Sequence, residues 1–153
     1  MKIEYREIAA GDLDIIAPLW DKLRKHQEIL SPNFSEHYAR RTWKVRKAGL
    51  LETAGSDGLH VDLAKDIDSG QSAGYCISTV SLDKKGCLES IYIEPDYRGN
   101  NIGDTLMVKA IEWMKRNKAQ TITLNVGVGN EAVVSFYKRY GFYPRTIVLQ
   151  QKD

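Results

Sequence analysis

Residues 86–103 read Gly86-Cys87-Leu88-Glu89-Ser90-Ile91-Tyr92-Ile93-Glu94-Pro95-Asp96-Tyr97-Arg98-Gly99-Asn100-Asn101-Ile102-Gly103. Cys87 to Ile93 is rich in β-branched and aromatic residues and predicts a strand, which Pro95 stops. A polar turn with Gly99 follows, and Ile102 opens the most regular helical pattern in the chain. From Ile102 to Asn117, Ile102, Leu106, Ala110 and Trp113/Met114 fall on one apolar stripe. A strand that turns directly into a helix aims several unpaired backbone N–H groups one way, at the positive end of the helix dipole. That arrangement suits a phosphate or pyrophosphate, and Arg98 adds a fixed positive charge. The plainer reading of the same residues is an ordinary strand-to-helix loop. Two well-known phosphate loops do not fit. Asp104 and Thr105 stand where a P-loop needs Lys and Ser/Thr, and there is no Gly-x-Gly-x-x-Gly.

Working outward, Lys2–Ile8 alternates as a strand. Leu13, Ile16, Leu19, Trp20 and Leu23 then predict a helix, entered at Gly11-Asp12 and kinked by Pro18. A second helix is expected from Ser35 to about Glu52. Strands follow at 58–65 and 73–82, the latter joined to Cys87–Ile93 through a tight turn at Asp83–Gly86. Pairing Leu82 with Cys87 across that turn sets Cys76 opposite Ile93 and keeps the two cysteines apart. Beyond the long helix come a strand at 121–126, a helix from Asn130 to Tyr140 ended by Gly141, and a strand at 142–150 centred on Ile147-Val148-Leu149. The order predicts an α/β domain, antiparallel at first, with a βαβ unit from 87 to 126.

The chain has 153 residues, with 42% hydrophobic and 27% charged side chains, which predicts one globular domain over 1–153. Its 22 basic and 20 acidic residues leave a net charge of +2, too balanced for a general nucleic-acid binder. Two cysteines are too few for a disulfide scaffold, so free thiols and a reducing compartment are expected. The charged start and the lack of a long apolar run predict a cytoplasmic protein without a membrane partner. His26, His37 and His60 lack metal-ligand spacing, so no metal is expected. The basic run Arg40–Lys47 is expected to be a solvated helix face, with an anion or acidic-partner patch as the alternative.

The stretch Leu88 to Gly103 resembles the acyl-CoA-binding motif of the GNAT N-acetyltransferase superfamily, Arg/Gln-x-x-Gly-x-Gly/Ala between a strand and a long helix. After a further 27 residues, Asn130 and then Phe136-Tyr137-Lys138-Arg139-Tyr140-Gly141-Phe142 resemble the second motif of that family. Two positions depart from the pattern. Asn101 replaces a usual Gly, and is the next most tolerant residue of positive φ. Val133, beside Ala132, stands where a small Ala is usual.

The resemblance implies a single-domain fold with a central mixed, mostly antiparallel sheet of about six strands and about four helices, its motifs within 86–142. It implies acetyl-CoA as cosubstrate, with the pyrophosphate on the loop of Arg98, Gly99, Asn100, Asn101, Ile102, Gly103 and Asp104. The pantetheine arm would lie along Ile91, Tyr92 and Ile93. Asn130 would reach that arm, cap the next helix, or do both. Tyr137 matches the acid that protonates the departing thiolate. Glu89 would serve as a base, or else as an electrostatic contact or a solvated strand residue. Trp20, Trp43 and Tyr38 would line the acceptor pocket or pack in the core. The implied reaction is direct acetyl transfer to a primary amine, on a small molecule or a protein; a CoA-binding sensor without turnover is the alternative. A homodimer is among the assemblies the resemblance allows.

Overall fold

The computed structural model describes residues 1–152. One sheet runs in the order β1 (Ile3–Glu7), β2 (Leu59–Asp66), β3 (Ser72–Val80), β4 (Lys85–Ile93) and β5 (Thr121–Thr123). The first three pairings are antiparallel and the β4–β5 pairing is parallel, which gives the expected meander followed by a βαβ unit. The helices are α1 (Ala17–Leu30), α2 (Ser35–Ala39), α3 (Trp43–Ala54), α4 (Ile102–Arg116) and α5 (Val134–Lys138).

The sheet carries a separate apolar layer on each face. On one face Ile102, Leu106, Met107, Ala110 and Met114 of α4 pack on Ala64, Ala73, Cys76, Val80 and Leu88. On the other, Leu13, Ile16, Leu19, Trp20 and Leu50 pack on Val61, Leu63, Tyr75 and Ile77. Adjacent β3 residues therefore serve opposite layers, as a pleated strand covered on both sides requires. Trp20 lies in this second layer at 4% exposure, with Trp43 tilted against it at 5.7 Å.

Several expectations need correction. Pro18 does not kink α1. It occupies the first turn, where its missing N–H is no loss, and the segment before it, Ala10–Ile16, is a 3₁₀ turn. The helix expected at 35–52 is two helices. Thr42 is extended (φ −122°, ψ 151°) and its Oγ1 accepts from the Val45 N–H at 3.3 Å, so it caps α3 and ends any continuation from α2. The β3–β4 register differs because the turn comes earlier and is one residue shorter than expected: the Ser81 and Lys85 backbones pair across Leu82–Lys84, with Lys84 at φ 62°. Cys76 faces Ile91, and Cys87 faces Thr79; both thiols are free. The 130–140 helix is a 3₁₀ turn at Glu131–Val133 followed by the short α5.

The sheet has five strands, not six. Residues 121–126 pair only at 121–123, and 142–150 form no strand. Ile147, Val148 and Leu149 are 77%, 85% and 91% exposed, so their apolar pattern has no packing partner. Truncation should separate the two kinds of apolar residue. Leu106→Ala, in the α4 layer, should cost about 2–5 kcal/mol in urea unfolding. Val148→Ala should stay within about 0.5 kcal/mol. A loss above ~1 kcal/mol at Val148 would mean that the C-terminal segment is packed.

Candidate active site

The β4–α4 connection opens with a short turn, Pro95–Tyr97, anchored from below. Tyr97 is buried, and its hydroxyl donates to Asp66 Oδ2 at 2.8 Å, next to Ser69 and Gln71 of the β2–β3 turn. Above this anchor the backbone takes two left-handed steps, Gly99 at φ 83° and Asn101 at φ 61°, ψ 14°. Asn101 thus adopts the conformation expected at the position where Gly is usual. Thr105 is the first amide to bond within α4, to the Asn101 carbonyl at 3.1 Å. The amides of Gly99, Asn100, Asn101, Ile102, Gly103 and Asp104 donate to no acceptor among the described residues. A run of exposed N–H groups at a helix N-terminus is an anion cradle.

Asp104 would add an unwelcome negative charge at this mouth, but its carboxylate is tied off. The Tyr140 hydroxyl and Arg139 Nη2, the latter at 2.8 Å, donate to it and hold it below the usual carboxylate range. These bonds also clip α4 to the end of α5. Arg98 folds back along the strand end: its Nε donates to the Ile93 carbonyl at 3.0 Å and its guanidinium sits 5.7 Å from the Tyr92 ring centre.

Below the loop, β4 and β5 pair at only three positions, Lys85–Thr121, Gly86–Ile122 and Cys87–Thr123. From Leu88 to Ile93 the β5-side edge of β4 is unpaired, and this open edge leads up to the amide cradle. Ile91, Tyr92 and Ile93 lie on it. The far wall is the loop after β5. There Gly127 and Gly129 meet the α1–α2 corner so closely that an added Cβ would lie 2.7 Å from the Tyr38 hydroxyl and 2.0 Å from the Leu30 carbonyl. Tyr38 therefore backs the wall. Asn130 makes no side-chain cap; the Glu131 carboxylate accepts from the Gly129 N–H at 2.9 Å, the Asn130 backbone N–H donates to Gly127 at 3.0 Å, and the Asn130 carboxamide has no partner among the described residues.

One irregularity sets the chemistry of β4. Ile77 pairs with Ser90 and Ser78 with Leu88, so Glu89 is an extra residue, a β-bulge. The bulge turns its carboxylate to the α3 side. There Oε1 accepts from Arg46 at 3.1 Å and Oε2 from the Thr79 hydroxyl at 2.7 Å. Arg46 also reaches the Glu89 carbonyl at 3.3 Å. Across the strand, Tyr137 of α5 packs edge-on with Phe136 and Phe142 against the layer containing Cys76. Its hydroxyl has no hydrogen bond among the described residues, and burial pushes its pKa up to about 12.

The loop residues, β4, Asn130 and Tyr137 thus surround one open seam, and Glu89 reaches its α3 side. Thr79, Arg46 and Arg41 were missed. The basic run is only partly a solvated face: Arg40 and Lys44 are exposed, but Arg46 turns in to Glu89 and Arg41 lies over Trp20. A sequence signal for the bulge existed. Leu88, Ile91 and Ile93 all join the α4 layer, and the odd step from 88 to 91 breaks strand alternation. Among the described residues no helix is long and apolar enough to cross a membrane, and no three His, Cys, Asp or Glu side chains group as metal ligands.

Known proteins share this plan. A putative acetyltransferase structure from Pyrococcus furiosus superposes with a TM-score of 0.75 at 22% identity, covering 98% of this chain and 100% of that one. The aminoglycoside N-acetyltransferase AAC(6')-Iy in complex with CoA gives 0.64 at 14% identity, over 99% and 95% of the two chains. An uncharacterised N-acetyltransferase of Methanocaldococcus jannaschii is 29% identical over 145 residues, 94% of this chain. The match spans 62% of that relative's length. Residues 22–142 match the Acetyltransferase (GNAT) family, and on this match the chain belongs to the GNAT family.

Proposed function

We propose that the protein is an N-acetyltransferase that moves an acetyl group from acetyl-CoA directly to a primary amine. The observation that carries this reading is the continuity of the seam. Six unsatisfied amides at residues 99–104 lie at the top of an unpaired β4 edge, with a half-buried phenol on one side and a carboxylate on the other. The cradle suits a pyrophosphate, and the free edge at 88–93 suits the amides of a pantetheine arm, which need backbone partners once desolvated. The aminoglycoside enzyme cited above was solved with CoA on the same fold.

The chemistry needs a neutral amine, donors for the tetrahedral oxyanion and a proton for the thiolate. Glu89 is assigned to the acceptor: it draws in the ammonium and accepts its proton. Each oxygen holds one donor and keeps lone pairs for another. The freed lone pair attacks the thioester carbonyl, and a backbone N–H of residues 91–93 faces the oxyanion. As the C–S bond breaks, Tyr137 gives its proton to sulfur. Its raised pKa keeps the phenol protonated throughout the neutral range. Its hydroxyl has no competing partner among the described residues.

Three outcomes are expected. Acetyl-CoA should raise the melting temperature, with a gain of about 2.7 kcal/mol at 100 times Kd. Asn101→Gly should keep that shift and Asn101→Val should lose much of it, because β-branched residues disfavour φ 61°. Equal binding by all three would remove the loop from the site.

Tyr137→Phe should lower kcat by about 10²-fold with little change in KM for acetyl-CoA. Because burial raises this pKa to about 12, the protonated form persists above pH 10 and is lost only as pH climbs through 12. No basic limb in kcat below pH ~10 should therefore come from Tyr137. Its stabilising effect follows the same window, full below the unfolded value and lost above the folded one. Full turnover by Tyr137→Phe would end the acid assignment.

Glu89→Gln should lower kcat/KM at neutral pH by about 10²-fold, with recovery at high pH, where the amine deprotonates unaided. A deficit that stays constant with pH would leave Glu89 no part in proton removal. Acetyl-CoA binding without turnover of any amine would favour the sensor reading.

A further inference from the structure

Three arginines converge beneath the α1–α3 corner, on the sheet face that carries Tyr75 and the Glu89 carboxylate. Two are paired. Arg24 donates to Asp21 at 2.9 Å and to Glu28 at 3.0 Å, and Arg46 donates to Glu89 at 3.1 Å. The third, Arg41, is half-buried and pairs with no carboxylate among the described residues. Its guanidinium lies over the Trp20 ring, 5.6 Å from the centroid. The groups in electrostatic range are Arg46 and Arg24, both cations, and the hydroxyls of Tyr38 and Tyr75. Tyr75 in turn hydrogen-bonds Ser90 of β4 at 2.6 Å, which places this cluster beside the bulge.

A half-buried cation without a counter-charge, set next to another cation, is unfavourable. The guanidinium lies over Trp20 and its N–H fork makes no hydrogen bond among the described residues. That fork matches a carboxylate or phosphate in bidentate geometry.

We infer that Arg41 binds an anionic group carried by the acceptor, so that the acceptor is a small amine bearing a carboxylate or phosphate. The inference rests on the acetyl-transfer reading above. Glu89 takes the ammonium end and Arg41 the anionic end, with Arg46 between them neutralised by Glu89. The α1–α2 corner closes on Gly127 and Gly129, which favours a compact acceptor over a folded protein surface.

The test is kcat/KM with acetyl-CoA for matched pairs: amino acids and ω-amino carboxylates against their amides, and O-phosphoethanolamine against ethanolamine. The anionic member of at least one pair should be preferred by about tenfold or more, as for a charged hydrogen bond, with the preference shrinking as salt rises. Which pair responds distinguishes carboxylate from phosphate. R41Q should bring the ratio close to one, through KM more than kcat, and R41K should restore part of it. A wild-type enzyme indifferent to the anion overturns the inference, as does an R41Q enzyme that keeps the preference. If R41Q melts early, the wild-type ratio alone decides. Turnover restricted to neutral amines overturns this inference and leaves acetyl transfer standing. No turnover of any amine overturns both.

Discussion

Strand β4 gains one residue on β3 at Glu89, and it loses β5 as a neighbour just two residues earlier, after Cys87. A strand in the middle of a sheet ordinarily has both edges satisfied. Here the upper half of β4 has one satisfied edge and one free edge, inside the molecule. The open edge persists because each side of the seam is held by something else. α4 fixes β4 from one face through Leu106, Met107 and Ala110, and the α1–α2 corner fixes the loop after β5 from the other. The bulge adds the second requirement. It points a carboxylate to the α3 face while Ile91 keeps contact with the layer that holds Tyr137. One inserted residue thus divides the acid and the carboxylate between opposite sides of the strand.

The cradle above depends on charge as much as on shape. Six unpaired amides at a helix N-terminus favour an anion, and an acidic residue in the first helical turn would compete for them. Asp104 is such a residue, and Arg139 with Tyr140 removes it from competition while fastening α5 in place. The two regions that resemble family motifs are therefore physically one unit, joined by an ion pair across the top of the seam. Tyr97 supplies the matching anchor beneath, through Asp66.

The sequence made the long helix, the meander and the phosphate-type loop legible because each rests on a local pattern. Ile102 to Met114 keeps helical spacing, and Asn101 is the sort of residue that tolerates φ 61°. What it concealed was non-local. Thr42 looks like a mid-helix residue until its hydroxyl is seen to cap α3. The turn closes at Ser81–Lys85, one residue tighter and earlier than its composition suggests, and the β3–β4 register shifts with it. Ile147-Val148-Leu149 has every local mark of a strand, yet a strand needs a neighbour and none is in place. Arg41 and Arg46 were hidden in a basic run because charge alone does not say which way a side chain points. Only the packing of α3 on the sheet turns two members of that run inward.

Both cysteines lie close to the seam, and their burial has a consequence for chemistry performed on the protein from outside. Desolvation pushes Cys76 and Cys87 each up to about 12, with the Glu89 carboxylate adding to the effect at Cys87. The thiolate is the reactive form, and near neutral pH it is far scarcer here than in an exposed cysteine. The polypeptide is therefore nearly silent toward electrophilic sulfur reagents. A colorimetric dye that reports free sulfhydryls would register a small-molecule thiol released into solution against almost no background from the folded chain, and a rising background would itself signal unfolding.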